Sequence, residues 1–191
     1  DDKGNPTAQG WQRVDGNWHY FVDGRASTGW FADRGTWYRL DESTGAMLTG
    51  WQKVDGRWYY MRSSGAVVTG WQSIDGTWYY FDGAGTMATG WIQDGGSWYY
   101  MNESGKMVSG WLRDGDAWYY MSSSGAMTVG WQNVGGSWYY FPGSGVMVTG
   151  WIQDGGSWYY MSETGAMVTG TQVIDGRRAT FTASGRWTGY P

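Results

Sequence analysis

The sequence predicts an all-β protein, a solenoid of stacked β-hairpins built from about nine repeats of roughly twenty residues. Three observations carry that expectation. A Gly-Trp pair recurs down the chain, with its tryptophan at Trp11, Trp30, Trp51, Trp71, Trp91, Trp111, Trp131 and Trp151. A second tryptophan follows seven residues later each time, at Trp18, Trp37, Trp58, Trp78, Trp98, Trp118, Trp138 and Trp158. Between the two lies a two-residue turn signal such as Asp55-Gly56.

Residues 1–9 come first and read as a linker: Asp1-Asp2-Lys3-Gly4-Asn5-Pro6 has neither the basic start nor the apolar run of a signal peptide. Residues 10–170 hold eight aromatic-rich repeats. Each contains a hairpin, which Asp-Gly or Gly-Gly flanked by alternating residues marks in most of them, because both central positions of the tight turn take positive φ. Asp15-Gly16, Asp75-Gly76 and Asp175-Gly176 repeat the Asp55-Gly56 signal, and Gly95-Gly96 and Gly155-Gly156 are permissive variants. With Asp55-Gly56 as the turn, Val54 pairs with Arg57, Lys53 with Trp58 and Trp51 with Tyr60. Alternation then sets Trp51, Trp58 and Tyr60 on one face and Val54, Tyr59 and Met61 on the other. Segments such as Ser63-Ser64-Gly65 and Glu103-Ser104-Gly105 form a second turn leading to the next Gly-Trp. The second repeat departs most, with Phe31-Ala32-Asp33-Arg34 expected in its first strand. Residues 171–191 form a degenerate closing repeat, where Thr171 replaces the tryptophan and Arg177-Arg178-Ala179 and Trp187 follow. A lone hairpin is marginal in water, so stacking on neighbours must bury the rings.

Composition narrows the function. The chain holds 34 glycines, 17 tryptophans and 15 tyrosines but only 5 phenylalanines, so its apolar surface is carried by rings with a polar part. Net charge is −4 and the 13 basic residues are scattered, which disfavours nucleic acid despite the many stacking rings. No apolar run approaches the roughly 20 residues needed to cross a bilayer, so no membrane insertion is expected. There is no cysteine and a single histidine, which makes a transition-metal site improbable and leaves no cofactor implied. His19 stands where most repeats have tyrosine and reads as a surface substitution rather than a general base. Asp55, Asp75, Asp94 and Asp154 read as turn residues, and Glu103 and Glu163 lie in second turns. None of these supplies the paired carboxylates of a glycosidase, nor do the serines have a base partner. The chain is expected to be non-catalytic, any enzymatic domain lying outside it.

Gly70-Trp71, then Trp78-Tyr79-Tyr80, Gly85-Thr86-Met87 and Thr89-Gly90-Trp91, resemble the choline-binding repeat of Gram-positive surface proteins and cell-wall lytic enzymes. The resemblance covers residues 10 to about 181. It implies a left-handed superhelix of hairpins that binds choline or phosphocholine groups of cell-wall teichoic acid between consecutive repeats. Two tryptophans of one hairpin and a third aromatic of the next would enclose the ligand, often beside a methionine. It further implies a secreted, surface-anchored protein, and the terminal repeats are where two copies could pair as a homodimer.

The third ring can be argued from this chain. If the tryptophan face of one hairpin meets the opposite face of the next, the wall is the first tyrosine of Trp-Tyr-Tyr. That position is His19 in the first repeat, which has no preceding box to close, and remains Tyr38 in the second, where the next residue has become Arg39. The expected boxes are Trp11, Trp18 and Tyr38; Trp30, Trp37 and Tyr59; Trp51, Trp58 and Tyr79; Trp71, Trp78 and Tyr99. They continue as Trp91, Trp98 and Tyr119; Trp111, Trp118 and Tyr139; and Trp131, Trp138 and Tyr159. Trp151 and Trp158 would face Ala179, leaving an eighth box without its wall. Arg13, Lys53 and Arg113 fall on the tryptophan face, where a cation would compete with choline. The same aromatic surface could instead stack on a carbohydrate such as a glucan, or the chain could be an adhesin or scaffold with degenerate boxes. Sugar binding wants a polar fringe, and Gln52, Gln72, Gln132 and Gln172 are expected on the face away from the tryptophans.

Overall fold

The computed structural model describes residues 8–190; residues 1–7 of the expected linker lie outside the described residues. Ala8 is buried and accepts a hydrogen bond from the Gly24 amide at 3.0 Å, so the last part of that segment is fixed to the first hairpin. The described residues are all strand and turn, arranged as nine antiparallel sheets, one per repeat. We number the repeats one to nine from Gly10, Gly29, Gly50, Gly70, Gly90, Gly110, Gly130, Gly150 and Gly170. They fall into two compact units, Asp1–Gly90 with Met101–Met107 and Trp91–Tyr100 with Val108–Pro191, which are described separately below.

Strand register is what the turns predict. Strand Gly50–Val54 pairs with Arg57–Met61 through Val54↔Arg57, Lys53↔Trp58 and Trp51↔Tyr60. Asp55 and Gly56 take φ of 49° and 78°, the left-handed pair that a two-residue hairpin needs. In repeat two Arg34, expected in the strand, is instead a turn residue with φ of 48°, ahead of Gly35. The strand ends at Asp33, so the hairpin keeps five-residue strands at the cost of a strained arginine, about 1–2 kcal/mol. Repeat one adds a third strand, Arg25–Ala26, through a further tight turn at Asp23-Gly24. That replaces the usual second turn and accounts for the nineteen-residue step between Trp11 and Trp30.

Successive repeats are joined by a repeated backbone bond. In the first unit Met47, Val67, Met87 and Met107 donate their amides to the carbonyls of Trp18, Trp37, Trp58 and Trp78 at 2.7–2.9 Å. In the second, Met127, Met147 and Met167 do the same to Trp98, Trp118 and Trp138 at 2.7 Å. The second turn then closes over that methionine. Gly145 has φ of 75°, and a Cβ there would run into the Met127 sulfur; Gly65, Gly105, Gly165 and Gly185 meet a methionine in the same way.

The core of each unit follows a column of one side chain per repeat from the second repeat on, with Val68, Ile74 and Leu112 buried beside it and Ile174, Ala179 and Phe181 buried in the last repeat. Leu40, Met61, Phe81 and Met101 in the first unit, and Met121, Phe141 and Met161 in the second, are fully buried. Each directly follows the Trp-Tyr-Tyr segment, or Trp37-Tyr38-Arg39 in repeat two, and lies opposite the glycine of Gly-Trp, as Met61 does opposite Gly50. Little aliphatic core is needed because the aromatics themselves cover this column.

Candidate functional site: aromatic boxes at the repeat junctions

The hairpin register alone brings both tryptophans of a repeat to one face, since Trp51 and Trp58 lie on positions of the same parity across the pair. Their ring centroids are 6.1 Å apart with planes at 88°, so they form a corner rather than a stack. Trp71–Trp78 and Trp91–Trp98 repeat this at 6.4 Å, Trp111–Trp118 at 6.1 Å and Trp151–Trp158 at 6.4 Å. The second tyrosine braces the first tryptophan from the same face: Tyr60 meets Trp51 edge-on at 5.2 Å, and Tyr100, Tyr120 and Tyr160 repeat the contact with Trp91, Trp111 and Trp151.

The first tyrosine of the following repeat meets the first tryptophan. In the first unit Tyr38 lies 4.8 Å from Trp11, Tyr59 4.8 Å from Trp30 and Tyr79 4.9 Å from Trp51. In the second unit Tyr119, Tyr139 and Tyr159 stand 4.8, 4.8 and 4.9 Å from Trp91, Trp111 and Trp131. All six are edge-on, which leaves ring faces turned to the open corner. The grouping of Trp71 and Trp78 with Tyr99 rests on the sequence repeat alone, because Tyr99 belongs to the other unit. The second tryptophan is the open member of each box: Trp98 is 42% exposed, Trp138 43% and Trp158 43%.

The methionine that the resemblance implies is present, and a turn the sequence did not point to joins it. Hollows of about 400 Å³ and 510 Å³ are lined by Trp91, Trp98, Tyr119, Met127, Gly143 and Ser144, and by Trp51, Trp58, Tyr79, Met87, Glu103 and Ser104. Trp11, Trp18 and Tyr38 likewise share a hollow with Met47, Ser63 and Ser64, and Trp30, Trp37 and Tyr59 share one with Val67, Gly83 and Ala84. Each of these four boxes therefore takes a methionine or valine from the next repeat and a turn from the repeat after that. The methionine recurs at fixed spacing and could have been named residue by residue. The turn depends on the rotation between successive hairpins, which spacing does not encode.

Asp154, read from sequence as a turn residue, ends its strand, the turn being Gly155-Gly156. Its Oδ2 accepts a hydrogen bond from Trp131 Nε1 at 3.0 Å, and Asp33 and Asp114 do the same for Trp11 and Trp91 at 3.2 and 2.9 Å. Asp94 likewise ends its strand rather than forming the turn. The Asp33, Asp114 and Asp154 carboxylates fix their indoles and set a negative charge behind them. Repeats three and four carry Val54 and Ile74 at the same position.

The cations on the tryptophan face behave differently from one another. Arg13 Nε donates to the Gly16 carbonyl at 3.0 Å and Arg113 Nε to that of Gly115 at 3.2 Å, so both fold back over their own turns. Lys53 Nζ instead sits 5.7 Å from the Trp58 ring, and the Arg39 guanidinium 5.5 Å from that of Trp30. Arg39 takes the brace position of the second tyrosine and is held by Glu42 at 2.7 Å. Gln52, Gln72, Gln132 and Gln172 each donate to the backbone carbonyl three residues earlier at 2.9–3.0 Å, which occupies their amides away from the boxes. His19, expected at the surface, is 9% exposed. Its position faces away from the tryptophans, and the turn at Gly45 comes close to its ring.

The eighth pair is not left bare. Ala179 is fully buried, and Trp187 lies edge-on to Trp151 at 5.5 Å.

A model of the choline-binding repeat matches residues 8–49, 48–89, 68–109, 88–129, 128–171 and 148–187, nearly the whole chain. Among solved structures, CbpJ from Streptococcus pneumoniae is 39% identical over 90% of this chain and 62% of its own, with a TM-score of 0.84. The choline-binding domain of CbpL from the same organism is 30% identical over 96% of this chain and 98% of that domain, with a TM-score of 0.73. The modular autolysin LytC, also pneumococcal, is 35% identical over 96% of this chain and 43% of its own, with a TM-score of 0.75. This chain thus spans about three fifths of the CbpJ structure and less than half of LytC. No curated protein sequence matches it. With its aromatic corners recurring in both units and the repeat model matched over residues 8–187, the chain belongs to the choline-binding repeat family.

Proposed function

We propose that this chain is a non-catalytic anchor that holds a secreted protein to choline-bearing teichoic acid of a bacterial cell wall by multivalent cation–π binding. The observation that carries the proposal is the recurring open corner of three rings, as where Trp91 stands 6.4 Å from Trp98 and 4.8 Å from Tyr119. A quaternary ammonium has no N–H to donate, so carboxylates cannot hold it by directed hydrogen bonds, whereas ring faces around its methyl groups can. Each cation–π contact is worth roughly 0.5–2 kcal/mol, so three give about 1.5–6 kcal/mol before ordering costs. A dissociation constant of 1 mM corresponds to about −4.1 kcal/mol, which puts a single box in the millimolar range. Tight attachment then comes from several boxes engaging one polymer, where linkage raises apparent affinity by roughly two to four orders of magnitude. Carbohydrate recognition is less well served, because the glutamines that could fringe the rings are bound to their own backbone.

Tryptophan fluorescence titrated with choline chloride, and separately with glucose oligomers, at constant ionic strength tests the proposal. A saturable change with choline in the millimolar to tens-of-millimolar range is expected. Saturation with the oligomers and no response to choline would overturn it.

A further inference from the structure

We infer that the ninth repeat completes an eighth quaternary-ammonium cage, in which Trp187 replaces the missing tyrosine as the third wall for Trp151 and Trp158. The inference rests on the choline reading above and adds a box that the repeat pattern denies, because Ala179 stands at the tyrosine position.

Three observations carry it. The first is register. Trp187 lies opposite Phe181, as Met87 lies opposite Phe81 and Met167 opposite Met161. It therefore occupies the methionine position, the one from which Met127 and Met87 reach their boxes. The second is compensation. Ala179, buried and packed in a cluster with Ile174 and Phe181, leaves the space of a tyrosine ring beside Trp151, and Trp187 packs against that cluster. Its ring meets Trp151 at 5.5 Å and 75°, against 4.9 Å and 68° for Tyr79 on Trp51. Tyr190 backs Trp187 edge-on at 5.3 Å. The Trp187 Nε1 hydrogen is buried with no acceptor, so packing holds the ring there against the cost of an unmade hydrogen bond.

The third observation separates a wall from a plug. A ring filling the box would cover the second tryptophan. Trp158 is instead 43% exposed, the same as Trp138 in the seventh box, and its corner with Trp151 is 6.4 Å and 81° against 6.4 Å and 82° for Trp91 and Trp98. The corner stays formed and open, with an aromatic third side. The cage ends there, because repeat nine carries Thr171 and Arg178 where a further tryptophan pair would stand.

The test uses the whole chain labelled with ¹⁵N, following indole N–H resonances as choline chloride is added against a sodium chloride control. Trp158→Ala and Trp187→Ala assign the two resonances of interest by their loss. The Trp158 indole is expected to shift saturably over the same millimolar range as Trp98. That response should be lost in Trp187→Ala and kept in Trp187→Phe, which retains an aromatic face. A Trp158 indole that stays still while Trp98 responds would overturn the eighth cage and leave the choline reading standing. A Trp158 response unchanged or strengthened in Trp187→Ala would mean that Trp187 is no wall, and would overturn it too. Silence at every indole, Trp98 included, would remove the choline reading itself.

Discussion

The two tryptophans of one box have different jobs, so removing them one at a time should separate binding from stability. In the fifth box Trp91 meets Trp98, Tyr100 and Tyr119 at 6.4, 5.2 and 4.8 Å, and its Nε1 donates to Asp114 at 2.9 Å. Trp98 is 42% exposed, and the bond it accepts from the Met127 amide is a backbone bond that alanine would keep. Truncating a fully buried tryptophan costs about 3–5 kcal/mol, so half-buried Trp91→Ala should cost roughly 2 kcal/mol, with Trp98→Ala well below that. For binding, each variant loses a cation–π contact of about 0.5–2 kcal/mol, a roughly two- to thirty-fold weakening at this box. Stability is best read locally, since a repeat array need not unfold as one unit. Hydrogen exchange at the Met127 amide reports the junction, and choline titration of the indole resonances reports the box. Trp98→Ala should lose binding with nearly unchanged exchange, while Trp91→Ala loses both. Equal loss of protection in the two variants, or full fifth-box affinity in Trp98→Ala, would refute the division of labour.

Three further changes probe single features of the boxes. Gly145→Ala should destabilise more than Gly135→Ala: both place alanine at positive φ, at about 1–2 kcal/mol, but only the former adds a clash with Met127, about 1–3 kcal/mol more. Met127 amide exchange should quicken in Gly145→Ala alone. Lys53→Ser should tighten choline binding at the third box about two- to five-fold by freeing the Trp58 ring of a competing cation, a gain of about 0.5–1 kcal/mol visible in the Trp58 indole titration. Asp154→Ala should release Trp131 Nε1, shifting that indole resonance and weakening the seventh box a few-fold, while Asp154→Asn keeps an acceptor and the resonance near its place.

Hairpin register was readable because a two-residue turn at Asp55-Gly56 admits one pairing, and alternation then dictates that Trp51 and Trp58 share a face. The meeting of Tyr79 with Trp51 was readable for a related reason, since facing surfaces of identical units must present complementary parities. What the sequence withheld depends on angles and side-chain reach. Ser144 reaches the hollow of Trp91 because hairpins turn relative to one another, and a twenty-residue period is silent about that turn. Asp94 and Asp154 resemble turn aspartates until the Gly95-Gly96 and Gly155-Gly156 turns are seen to leave them at the strand ends. The burial of His19 is not legible in its own repeat because its covering, near Gly45, comes from another. The missing wall at Ala179 was read position by position, whereas a large side chain at a different position can fill the same space.

The first, second, third and fifth boxes each draw on three consecutive repeats: a tryptophan pair, then a tyrosine with a methionine or valine, then a turn. A bound cation therefore stabilises a junction rather than a hairpin, by RT ln(1 + [L]/Kd), about 1.4 kcal/mol at ten times the dissociation constant. Unfilled junctions rest on one backbone bond, a few buried side chains, half-exposed rings and, at some junctions, a tryptophan–aspartate bond. Because neighbours touch mainly neighbours, these increments add along each unit. A polymer that presents choline repeatedly would consequently stiffen the same stack that grips it. On the proposed anchoring, weak individual boxes would still give firm attachment for two reasons at once, the linkage of many boxes and the ordering of every junction that a filled box secures.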